Sequence, residues 1–78
     1  MSGFLKSVQL AKARTRLHEL HKEHDGDVEV YGPLWRSHIR TLDLTLEECE
    51  TYFAVLWASG DNRAYYDSMA VYMMTGRY

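Results

Sequence analysis

Three residues, Ser59-Gly60-Asp61, constrain the fold most. They interrupt residues 44 to 76, which hold most of the large apolar side chains, at a point where the apolar spacing on both sides is that of an α-helix. Thr45 followed three residues later by Glu48 is a capping box that opens the first of these helices. Gly60 can take the left-handed conformation that ends it, and the Asp61 carboxylate can accept backbone N–H groups at the start of the second. So short a connection sets the two helices antiparallel. Any core must be built on this hairpin.

On the first of the pair, Leu46, Cys49, Tyr52, Phe53, Leu56 and Trp57 share one face at helical spacing, which predicts a core face. On the second, Tyr65, Tyr66, Met69, Tyr72 and Met73 form the stripe. Val71 and Met74 lie outside it, so that helix is apolar over more than one face.

The earlier part of the chain supplies what packs on the hairpin. Residues 4 to 23 form the longest helical candidate, rich in good helix formers and closed by Gly26. Phe4, Val8 and Ala11 make a short stripe. Leu10, Ala13, Leu17, Leu20 and His24 follow a 3-4-3-4 spacing, a seam that predicts docking on the hairpin or pairing with a second copy. Gly32-Pro33 opens a helix over 33 to 41, with Pro33 at the first helical position, where its missing N–H costs nothing. Leu34, Trp35, His38, Ile39 and Leu42 take its inner arc.

The expected fold is therefore all-α: a small bundle of three or four helices at 4–23, 33–41, 46–58 and 62–75, a single helical domain over 1–78. The alternative is α+β. Val28 and Val30 alternate with acidic residues, as Leu42 and Leu44 do with Asp43, which would allow a short two-stranded ribbon at 27–31 and 41–45.

Composition narrows function mainly by exclusion. With 78 residues there is no room for a cleft between domains, and a net charge of −2 lacks the basic excess that nucleic-acid binders usually carry. One cysteine makes an internal disulfide impossible, which predicts a reducing, cytoplasmic setting. The N-terminus has no unbroken apolar segment, and the longest apolar run, 52 to 58, is too short to span a bilayer. No membrane association is expected.

Several constellations invite chemistry. His18, His21 and His24 recur at three-residue intervals, a candidate metal set for zinc or another first-row ion. Successive three-residue steps turn by about 60° around a helix, which spreads the outer two apart. Arg36 and Arg40, with Lys12 and Arg16, are candidates for phosphate contacts to nucleic acid; their other reading is pairing with Asp43, Glu47, Glu48 and Glu50. Cys49 lies on an inner face with His38 also on an apolar arc, poor ground for a nucleophile. The glycines are single, so there is no phosphate cradle and no nucleophile elbow.

The remaining constellation is Tyr65, Tyr66, Met69, Tyr72, Met73 and Met74, more apolar surface on one helix than a few short neighbours can hide. Tyr gives large contact area at low entropic cost, and Met adapts its shape to a partner.

Residues 54 to 69, AVLWASGDNRAYYDSM, resemble the A-V-aromatic…D-x-R…M segment of the small helical Hha family of nucleoid-associated co-regulators. Gly60 falls where that family carries an uninterrupted helix. The resemblance implies a helical protein that partners another, DNA-binding, protein.

The functional expectation is a small non-enzymatic intracellular adaptor or modulator. It would bind another protein, or a second copy of itself, through the Tyr/Met surface, with no cofactor. Nucleic-acid binding through Lys12, Arg16, Arg36 and Arg40, and metal binding at the three histidines, are the alternatives.

Overall fold

The computed structural model describes residues 2–76, with side chains from residue 5 onward. The chain is all-α, with four helices: α1 (Ser2–Glu23), α2 (Val28–Thr41), α3 (Leu46–Ala58) and α4 (Asn62–Met74). Phe4, expected in the short stripe of α1, has its side chain outside the described residues.

The hairpin forms as its sequence dictates. The Thr45 hydroxyl accepts from Glu48 N at 3.1 Å while the Glu48 carboxylate accepts from Thr45 N at 2.9 Å, closing the capping box. Gly60, at φ +103°, ends α3 in a conformation that a side chain would strain. Asp61 then caps α4, its Oδ1 accepting from Arg63 N at 3.1 Å and Ala64 N at 3.3 Å.

The ribbon alternative is overturned, because no strand forms among the described residues. Residues 28 to 31 are the first turn of α2, with Val30 N and Tyr31 N both donating to Asp27 O at 3.1 Å. Residues 42 to 44 fold back on the end of α2, Leu44 N donating to Ile39 O at 2.9 Å. Pro33 is consequently in the second turn of α2 and not at its first position. It withholds one N–H from the Glu29 carbonyl, and Glu29 lies at the surface, where water can serve that carbonyl.

One core joins all four helices. Trp35, Tyr31, Phe53, Leu17, Val71 and Cys49 are its largest fully buried side chains, with Ala13, Leu20, Ile39 and Leu44 around them. The α1 seam is spent here: Ala13, Leu17 and Leu20 are buried and Leu10 packs against them. Trp35 locks α2 to α1 by donating its indole N–H to Ala13 O at 2.8 Å, and its ring stacks on Phe53 of α3 with centroids 6.4 Å apart.

Three expected core faces are redrawn. Leu34, expected on the inner arc of α2, is 50% exposed, and Tyr31, Trp35 and Ile39 form the buried side. Trp57 of α3 stays 50% exposed, its ring beside that of Tyr65, while Leu56 in the same turn packs against the core. On α4 the core side is Ala64, Asp67, Ala70 and Val71, mostly small residues that let the helix lie close against its neighbours. The Tyr/Met stripe consequently turns away from the core.

Candidate functional site: the outer face of the closing hairpin

Helical geometry sets Tyr65, Met69, Met73 and Tyr66 within an arc of roughly 100° on the outside of α4. Their exposures are 41%, 42%, 42% and 70%. The other residue of that arc is Asn62, so no charge interrupts it. Trp57 extends the surface onto α3: its ring centroid is 5.2 Å from that of Tyr65, which is in turn 5.4 Å from Tyr66. The result is an exposed row of three aromatic rings around the Gly60 turn, continued by two methionines along α4.

The other two residues of the expected set stand at the edge of this face. Tyr72 is half-buried, and Met74 packs on the core with its Cγ against the backbone of Gly32. A Cβ at position 32 would come within 3.2 Å of that Cγ, so glycine lets α4 approach α2 closely.

A polar clamp fixes the opposite side of α4. Asp67 is 5% exposed, and its Oδ2 accepts from Arg14 Nε at 2.7 Å while its Oδ1 accepts from His18 Nε2 at 2.7 Å. Arg14 also donates through Nη1 to Asp61 Oδ2 at 2.8 Å. One guanidinium from α1 therefore holds both the cap and the middle of α4. The Arg14 bond to Asp61 comes first among the influences that raise the guanidinium's pKa above its ordinary value, with burial opposing it and Asp67 adding to it. The same bond holds the Asp61 carboxyl below the usual carboxylate range. Nothing in the sequence paired these residues beyond one signal, a mid-helix Asp on a largely apolar helix.

The three histidines do not converge. His18 is taken by Asp67, and His21 shares a hydrogen bond of 3.0 Å with the Tyr31 hydroxyl, against which its ring packs edge-on. His24 is half-buried at the end of α1. Among the described residues no three His, Cys, Asp or Glu side chains are grouped as a metal would require. The depression between His18, His21, Tyr31, Arg63, Tyr66 and Asp67 holds about 60 Å³, room for one or two waters. Burial pushes the Tyr31 hydroxyl above its ordinary pKa, with the Asp67 charge adding to it.

The four basic residues fall into two separate places. Lys12 and Arg16 line a groove with Val8, Ala11, Thr15, Glu19 and His38, and Arg16 already pairs with Glu19 at 3.3 Å and Glu23 at 3.7 Å. Arg36 and Arg40 line a different groove, against the start of α3. The acidic partners expected for that pair are not used: Glu48 binds Lys6 at 3.0 Å.

Cys49 is fully buried, and burial, with the Glu48 charge adding to it, pushes its thiol up to about 12. A thiolate is disfavoured there. His38 Nε2 is buried without a hydrogen-bond partner among the described residues.

Among the described residues no helix is long and apolar enough to cross a membrane. The stretch resembling the Hha family folds as the end of α3, the Gly60 break and the start of α4, so the chain turns where that family's helix continues. No family model, curated protein or solved structure matches the chain.

Proposed function

We propose that this protein is a small non-enzymatic adaptor or modulator that binds another protein through the outer stripe of α4, with Trp57 extending it. The observation that carries the reading is the contrast between the two sides of one helix. The inner side of α4 is built from alanines, a valine and a clamped aspartate, while the outer side presents two tyrosines and two methionines at 41–70% exposure. Globular proteins expose single apolar side chains freely, but contiguous groups mark interaction sites.

The area supports a partner of modest size. Taking ~200 Å² for a large side chain in full exposure, Trp57, Tyr65, Tyr66, Met69 and Met73 leave roughly 500 Å² to be covered. A standard interface removes about 800 Å² per partner, so the stripe with a polar rim of Asn62, Arg63 and Ser59 approaches that size. Trp and Tyr are the side chains that most often dominate binding energy, and all three aromatic rings lie together. A lone, buried cysteine fits a reducing compartment.

The test is a Tyr66→Ser, Met73→Ser double variant, which removes exposed apolar atoms and leaves the core alone. Capture from the native cell with mass spectrometry, and light scattering of the purified protein, identify a heterologous or self partner. Titration with that purified partner should then show affinity weakened at least about tenfold in the variant. Unchanged affinity in a variant that melts like wild type refutes the assignment of this face.

A further inference from the structure

The outer side of α2 carries a second surface. Arg36 and Arg40 are one turn apart and exposed, and neither makes an ion pair or hydrogen bond among the described residues. Between them and the start of α3 runs a groove of about 450 Å³. Ile39, Leu44 and Leu46 line it, the first two buried at 2% and 4% exposure and Leu46 packed against the core. Thr45 and Glu47 complete the lining. The groove thus combines an aliphatic floor with two unpaired guanidiniums.

That combination selects among ligands. A guanidinium offers a planar fork that matches a carboxylate through two parallel bonds. An aliphatic floor favours a branched apolar side chain over a base, which prefers an aromatic platform. A nucleic-acid backbone needs a longer track of cations, but Lys12 and Arg16 line another groove and Arg16 is already paired.

We propose that this groove binds an acidic peptide segment of a partner protein. An aliphatic side chain of the segment rests on Ile39, Leu44 and Leu46, and flanking Asp or Glu residues pair with Arg36 and Arg40. The surface is separate from the α4 stripe and does not depend on its assignment.

The experiment is fluorescence anisotropy of a labelled peptide of alternating Glu and Leu, titrated with the whole protein at low salt. Two comparison probes are the same peptide with Gln in place of Glu and a labelled single-stranded oligonucleotide. The acidic peptide should bind, with affinity falling as salt rises, and the Gln peptide should bind at least about tenfold more weakly. R36E/R40E should lose at least about tenfold. Its circular dichroism should match wild type, since both side chains are exposed and unpaired. Should that double variant fold poorly, Arg36→Gln with Arg40→Gln removes the same charges more gently and should show the same loss. Lys22→Glu, an exposed charge reversal at the end of α1, should leave binding unchanged and so exclude a net-charge effect. Absence of binding at low salt, an affinity indifferent to both arginine variants, or an oligonucleotide that binds as tightly as the acidic peptide overturns the proposal.

Discussion

Replacing Asp67 with alanine should be the most damaging single change on α4. The carboxylate is almost fully buried and accepts two charge-assisted bonds of 2.7 Å, from Arg14 and His18. Removing it leaves the Arg14 guanidinium, whose side chain is 19% exposed, to face a cavity on that side. Breaking a buried pair by deleting one partner costs about 3–5 kcal/mol. Arg14 keeps its bond to Asp61 and some access to water, which places the loss near the lower figure, about 3 kcal/mol. A domain of this length has roughly 4–12 kcal/mol in total, so this single substitution removes a large share. For domains of this size each kcal/mol moves the melting temperature by about 4–8 °C, which puts the expected drop at roughly 12–24 °C. Thermal and urea unfolding followed by circular dichroism give both quantities. An Arg14→Met, Asp67→Leu double variant, which removes the charges together, should recover much of the loss. If Asp67→Ala costs under about 1 kcal/mol, or the double variant is worse than the sum of its parts, the clamp does not hold α4.

Further outcomes follow from the same structure. The Arg14 bond, the largest influence on Asp61, depresses that carboxyl, so its contribution is present above the unfolded carboxylate pKa of about 3.9 and is lost as pH falls through the lower folded value. The difference in melting temperature between wild type and Asp61→Asn should accordingly be full at neutral pH and shrink below about pH 4; a gap independent of pH contradicts this. Trp35→Phe loses the indole bond to Ala13 O and leaves a void, for an expected cost of about 1–3 kcal/mol by urea denaturation. Cys49, buried with its thiol held up near 12, should resist a thiol reagent in the native protein and react fully once urea unfolds it; rapid native labelling would show the site to be open.

The hairpin was legible because its signals are local. A capping box, a glycine at a helix end and a capping aspartate each act within a few residues, and all three formed where expected. The start of α2 was misread for a related reason. Val28 and Val30 alternate like a strand, but Tyr31, Trp35 and Ile39 follow at four-residue spacing, and the burial of those three decides the matter. Pro33 drew the boundary inward because proline is favoured at the first helical position and costly further in, where it removes an N–H and crowds the carbonyl four residues back; the burial of Tyr31, Trp35 and Ile39 outweighs that cost in α2. Trp57 shows the limit of periodicity: it shares the apolar face by spacing, yet Leu56 beside it packs on the core while Trp57 stays half exposed.

The Tyr/Met residues stood out as a surplus, but which side of α4 would be left bare depended on the clamp. Arg14 and His18 are a turn apart on α1, and Asp67 is some fifty positions away. Only the register between distant helices brings them together, and the sequence alone does not encode that register in any short pattern. Arg36 and Arg40 were visible as a pair; the aliphatic floor beside them depends on how the segment after α2 folds back.

The double grip of Arg14 makes the N-terminal helix a splint for the C-terminal one. Arg14 reaches both the cap and the middle of α4, and His18 beside it reaches Asp67, so a segment about fifty residues earlier adds polar ties to the packing of α4 on α2 and α3. A shortened protein lacking that helix would keep the outer tyrosines and methionines of α4 and its packing on α2 and α3, yet would leave Asp67 buried with neither of its bonds.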